Sequence, residues 1–245
     1  MGKMISENLL TLIEEILNQE KRAKELYEKY LETIKDQPIV EGLARILNDE
    51  KEHIRLASEV LGLIKHGPSY SRVRIGLDEF SETSSILISC GIESYLKVNL
   101  IVLKKLVNEK GLKCIYVAIN KPVSSLIEAF KREDIQTGKL FFIECSTVNS
   151  GAEKRILAKL DNLTNLNMSI SRLIEDTSGR KFVYLDAISA LYIFNPANVV
   201  ERFAHHLIAS TKSKRIELVL VAVNEEIDKR SMVALTTFCD GKIEV

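Results

Sequence analysis

The apolar residues of this chain change their period once, near residue 85, and that change limits what each part can fold into. Before it, apolar side chains recur every three or four positions: Leu9, Ile13, Ile16, Ala23, Tyr27, Tyr30 and Ile34, then Leu43, Ile46, Leu47, Ile54, Ala57, Val60, Leu61 and Ile64. Each series is one face of an α-helix. The spacing predicts helices over Ser6 to Lys35 and from Pro38 to Lys65. Asp36-Gln37-Pro38 interrupts them, and proline suits the first turn of a helix that restarts there. So short a break makes the helices antiparallel neighbours. Two helices alone bury too little surface to be stable, so residues 1–66 are expected to be a dimerising hairpin.

After Ser85 the pattern is different. Ile86-Leu87-Ile88-Ser89, Cys114 to Ala118, Leu140 to Ile143, Phe182 to Leu185 and Leu218 to Val223 are short unbroken apolar runs. Such runs are strands buried on both faces, as in a parallel sheet. Amphipathic stretches alternate with them at Tyr95 to Asn108, Val123 to Arg132, Leu163 to Asp176, Pro196 to Thr211 and Glu226 to Phe238. The expected architecture is α plus α/β: an antiparallel two-helix hairpin, then a mostly parallel sheet flanked by helices over residues 85–245. His66-Gly67-Pro68-Ser69 ends the hairpin, and residues 67–84, polar and mixed, are predicted to be a linker.

Charge narrows the partners. Lys plus Arg and Asp plus Glu both number 34, so no field draws the chain to nucleic acid or to an anionic membrane. Lys104-Lys105 and Lys212 to Arg215 are small clusters expected at the surface. No apolar run approaches the ~20 residues of a membrane span. The start, Met1-Gly2-Lys3-Met4-Ile5-Ser6-Glu7, lacks a signal-peptide core, which predicts a cytoplasmic protein. Cys90, Cys114, Cys145 and Cys239 form no Cys-x-x-Cys pair and are expected to be small buried thiols at strand ends.

Three ionisable residues interrupt the apolar helical faces. Glu20 fills the one vacancy in the first series; Glu50 and His53, spaced i and i+3, fall on the second. Burying an unpaired carboxylate costs several kcal/mol or moves its pKa. A cation held by two carboxylates and an imidazole is the simplest compensation. Glu14, Glu15, Asp49 and Glu52 lie off the stripe and are read as solvated.

Glu-x-x-His on one helix, faced by Glu on another, is half of a ferritin-like di-iron site. The stretches Glu20-Lys21-Arg22-Ala23-Lys24-Glu25-Leu26-Tyr27 and Asn48-Asp49-Glu50-Lys51-Glu52-His53 resemble rubrerythrins. They resemble more nearly the half-length ferritin-like proteins, including the encapsulated ferritins, which build the site across a subunit interface. The resemblance covers about the first 65 residues. It implies Glu20, Glu50 and His53 as iron ligands, two irons shared per homodimer, and a ferroxidase or peroxidase-type activity. Tyr27, on the same stripe as Glu20, is placed to support the ligands from outside the coordination. A second helical pair and a rubredoxin-like Cys-x-x-Cys module are both missing.

The first strand of the α/β part ends in Cys90-Gly91-Ile92-Glu93-Ser94-Tyr95-Leu96-Lys97-Val98. Against the phosphate-binding pattern G-x-x-x-x-G-K-S/T, Gly91 and Lys97 match. Leu96 stands in place of the second glycine and Val98 in place of the magnesium-binding hydroxyl, and Glu93 adds negative charge. Phe182 to Leu185 is an apolar strand ending in the carboxylate Asp186. With Leu185-Asp186-Ala187-Ile188-Ser189-Ala190-Leu191 and the ending Phe238-Cys239-Asp240-Gly241-Lys242-Ile243-Glu244-Val245, residues 70–245 resemble RecA-like ATPases of the KaiC type. That family implies ATP and magnesium bound through Gly91, Lys97 and Asp186. The substitutions at 96 and 98 point instead to a degenerate nucleotide fold kept as a sensor or adaptor for a protein partner. Glu144, ending another strand, is a further polar candidate. Three readings follow: an iron protein, a non-enzymatic regulator dimerised by its hairpin, or a nucleotide binder with an altered phosphate loop.

Overall fold

The structure is a computed structural model that describes residues 2–79, 83–145 and 155–245. The chain forms two compact units, Met1–Ser71 and Arg72–Val245. In the first, helix α1 spans Gly2–Thr33 and α2 spans Gln37–His66, and the two pack on each other. Asp36 caps α2 by accepting the Ile39 N–H at 3.3 Å, and Pro38 occupies its first turn, where no N–H is missed. Gly67, at φ 63°, ends the helix in the conformation glycine tolerates best. Leu17 and Leu47 are the buried centre of the hairpin.

The apolar band that reads as one stripe in the sequence divides into two. Leu10, Ile13, Leu17 and Leu43, Leu47, Ile54, Leu61 are buried or half-buried. A second row is more than a third exposed: Leu9, Ile16 and Tyr30 on α1, and Ile39, Ile46 and Val60 on α2. Each exposed row has the seven-residue spacing of a coiled-coil seam. Ala23 continues the row on α1, and His53 continues it on α2.

The second unit is built on a seven-stranded sheet. Its strands are β1 Ser85–Cys90, β2 Lys113–Ala118, β3 Leu140–Cys145, β4 Arg155–Ala158, β5 Lys181–Asp186, β6 Glu217–Val223 and β7 Gly241–Glu244. Their order is β4-β3-β2-β5-β6-β1-β7, and every neighbouring pair is parallel. The helices are α3 Pro68–Glu79, α4 Tyr95–Leu103, α5 Val123–Arg132, α6 Leu163–Asp176, the short α7 Leu191–Phe194, α8 Ala197–Ser213 and α9 Lys229–Phe238. Alternate strand residues serve opposite faces. Leu87, Ile115, Val183, Leu220 and their neighbours join α6 and α8 in one core. On the other face Tyr116 stacks on Tyr184 at 5.1 Å and meets Phe130 edge-on at 5.6 Å.

Several expectations are corrected. The stretch read as a linker, 67–84, carries α3, whose Tyr70, Val73 and Leu77 are buried. Arg74 reaches Glu109 through two hydrogen bonds of 2.5 and 2.8 Å. β4 and β7 extend both sides of the sheet and were missed. The helix expected over Tyr95 to Asn108 is α-helical only to Leu103 and continues as a π-helical turn, Lys104–Glu109. The helix expected from Glu226 starts at Lys229, where Asp228 caps it by accepting the Arg230 and Ser231 N–H groups.

The lysine clusters form ion pairs: Lys104 with Glu133, Lys105 with Asp78, Lys212 with Asp240 and Lys214 with Glu175. Cys90, Cys114 and Cys145 are buried as expected, and Cys239 half-buried. Burial pushes the thiols of Cys90, Cys145 and Cys239 up to about 12, where almost no nucleophilic thiolate exists at neutral pH. No helix among the described residues is long and apolar enough to cross a membrane.

Candidate metal centre and the loop after β1

The antiparallel packing of α1 and α2 brings Glu20 opposite Glu50 and His53. One ligand atom from each of the three lies within 4.8 Å of the others. Among the described residues no other trio of acidic, histidine or cysteine side chains converges in this way. His53 Nδ1 is 3.6 Å from Glu20 Oε1. The three do not share one environment: the Glu20 side chain is 24 % exposed and that of His53 57 %. His53 therefore stands on the outer seven-residue row rather than in the hairpin's own seam, where the sequence had suggested it.

Glu50 is the most constrained member. Its Oε2 is buried and accepts no hydrogen bond. A hydrogen-bonding approach of the Glu20 carboxyl is the largest cause pushing the Glu50 carboxyl above its ordinary range; burial and the Glu20 charge add to it, and His53 pulls the other way. Two carboxylates in contact, one with an orphaned oxygen, repel each other unless a proton or a cation lies between them. Oxygen and imidazole donors suit a divalent first-row metal. Tyr27 is half-buried on α1, two turns on from Glu20. The flanking acids are paired at the surface: Glu14 with Lys65 at 2.9 Å and Glu52 with Arg55 at 2.7 Å.

In the second unit the residues matched to a nucleotide site lie on the loop after β1, on α4 and at the end of β5. Lys97 is exposed on α4. Asp186, at the end of β5, is 0 % exposed. β1 and β5 are not adjacent, since β6 lies between them. Both Asp186 oxygens are engaged inside the protein: Oδ1 accepts the Tyr95 hydroxyl and Oδ2 the Tyr116 hydroxyl. Asn99 extends the cluster, donating to Tyr116 at 3.3 Å and accepting from Tyr184 at 2.7 Å. Burial pushes the Asp186 carboxyl up, and the hydroxyls of Tyr116 and Tyr95 partly counter it.

Gly91 faces a carboxylate: a β-carbon there would lie 3.4 Å from Glu225 Oε1. Glu144 is not solvated; it is 2 % exposed and accepts the Val123 N–H at the start of α5 at 3.0 Å. The sequence reading missed Tyr95, Tyr116, Asn99 and Glu225. Two signals were available: a tyrosine inside a would-be phosphate loop, and an acidic pair, Glu225-Glu226, one residue past β6.

The cluster permits a direct check. Tyr116→Phe removes one donor from a fully buried carboxylate, so it is expected to destabilise the second unit by about 1.5–3 kcal/mol. Urea unfolding followed by circular dichroism measures it.

No protein-family model and no curated protein matches the chain. Among solved structures it is similar to a KaiC-like protein from the hyperthermophilic archaeon Pyrococcus horikoshii OT3, at 14 % identity and a TM-score of 0.50. The match covers 69 % of this chain and 76 % of that one. With the all-parallel sheet, this likeness shows a RecA-like fold.

Proposed function

We propose that the chain is an iron-binding protein in which two hairpins pair and share a ferritin-like di-iron carboxylate site. Glu20, Glu50 and His53 are the ligands from each copy, and the RecA-like unit serves as a sensor or adaptor that does not hydrolyse ATP. The observation that carries the reading is the convergence of the three ligand atoms within 4.8 Å around a buried, unbonded Glu50 oxygen. A cation there satisfies that oxygen and removes the repulsion between the two carboxylates. Two copies supply four carboxylates and two imidazoles, the full donor set of such a centre. When bound, two Fe(II) ions supply two electrons that, with two protons, reduce one dioxygen to hydrogen peroxide and leave two Fe(III). The chain's part is to hold hard oxygen donors that stabilise the ferric product and an imidazole that retains the ferrous ion.

The exposed rows on α1 and α2 support pairing. A lone soluble hairpin would leave these apolar side chains in water, and their seven-residue spacing suits a four-helix bundle made from two copies. The same rows favour a second reading, a metal-free dimer acting as a regulator. Anaerobic titration of the full chain with Fe(II) separates the two. The iron reading expects saturation at about one metal per chain, and ferric absorbance on admitting air. Absence of saturable binding supports the regulator.

A further inference from the structure

The loop after β1 is occupied from within. The Ile92 N–H, which a phosphate-binding loop of this kind would present to an anion, donates instead to Glu225 Oε2 at 3.1 Å. The other Glu225 oxygen lies against Gly91. The turn itself is closed by the Ser94 N–H donating to the Gly91 carbonyl at 2.9 Å. Glu225 belongs to the 3-10 turn Asn224–Glu226, which directly follows β6, the strand beside β1. Its neighbour Glu226 anchors that turn by accepting the Ser189 hydroxyl at 2.7 Å, and the Ser189 oxygen accepts the Val223 N–H at 3.1 Å. On the other side of the loop Tyr95 is fixed to Asp186. Its ring also has Lys121 Nζ 6.0 Å above it, so a cation near this site faces an aromatic surface.

We propose that Glu225 is a built-in substitute for a phosphate. Its carboxylate takes the loop N–H that an anionic ligand would need, and it repels any phosphate that approaches. Tyr95 holds the carboxylate that a magnesium ion would need. The carboxyl edge of the sheet is thereby held in a ligand-closed arrangement with no nucleotide, which makes this unit a constitutive scaffold rather than a switch driven by ATP. The inference uses only residues of the RecA-like unit and does not depend on the iron site.

The test uses the full chain, treated with chelator, with tripolyphosphate as the probe at fixed ionic strength in a calorimetric titration. Amide hydrogen exchange at Ile92 and Val98 is followed in parallel. Glu225→Ala removes the competing anion and frees the loop N–H. It is expected to bind tripolyphosphate about tenfold or more tighter than the parent, and to exchange the Ile92 amide about tenfold or more faster. The Val98 amide donates to the Ser94 carbonyl at 2.9 Å and should keep its protection, which reports that the helix is intact. If Val98 protection is lost, Glu225→Gln, of the same shape but uncharged, carries the same comparison. Equal tripolyphosphate affinity in parent and folded variant, with or without measurable binding, overturns the proposal. So does an Ile92 amide whose exchange does not change.

Discussion

Glu50→Ala is expected to abolish iron binding and at the same time to leave the metal-free hairpin no less stable than the parent. The two effects have one origin. On the proposed site Glu50 supplies a ligand, and changing groups that merely support ligands already costs ten- to a hundredfold in affinity; losing the ligand itself is expected to cost about a hundredfold or more. In the metal-free chain, however, Glu50 is a liability. Its Oε2 is buried without a hydrogen bond and its carboxyl is pressed against Glu20, so removing it removes a repulsion. An ordinary structural residue would behave oppositely, with lower stability and no effect on metal. The measurement is a pair of melting curves, with and without Fe(II) under anaerobic conditions. The parent should gain about 2.7 kcal/mol at a hundredfold excess of metal over its dissociation constant, and the variant no more than about 0.4 kcal/mol.

The second large effect concerns the outer row of α2. Ile46 and Val60 are 42 and 41 % exposed, and His53 lies midway between them on the same row. If that row is the seam with a second copy, Ile46→Lys or Val60→Lys places a charge there twice per dimer. Each lost apolar side chain forfeits at least about 1.5 kcal/mol, or about 3 kcal/mol per dimer, which raises the dissociation constant more than a hundredfold. Sedimentation velocity at micromolar concentration should show a monomer for either variant, and iron affinity should fall too if the copies share the proposed site. A dimer that survives both substitutions places the interface elsewhere.

The core elements of both units could be read from sequence because they bury continuous apolar surface. α5 and α6 occupy the predicted ranges, and the apolar runs became β1, β2, β3, β5 and β6. The weaker elements lacked that signal. β7 buries only Ile243 between exposed neighbours, and β4 has four residues. α3 opens on Gly67-Pro68-Ser69, which reads as a breaker although Tyr70, Val73 and Leu77 keep helical spacing behind it.

At the candidate metal centre, the convergence of the three side chains could be read but their environment could not. Helical spacing placed Glu20, Glu50 and His53 near one another. It gave no means of separating the inner seam from an outer row only slightly rotated around the same helix, so His53 was read as inward. The roles of Glu225 and Tyr95 depend on contacts 133 and 91 residues apart in sequence, which periodicity does not reach.

Anomalous diffraction at the iron absorption edge, from crystals of the full chain grown anaerobically with Fe(II), tests the central claim most directly. The predicted result is a peak within bonding distance of Glu20, Glu50 and His53, paired with a second peak across a two-fold axis. Peaks only elsewhere, or none while those three side chains are ordered and face solvent, would contradict it.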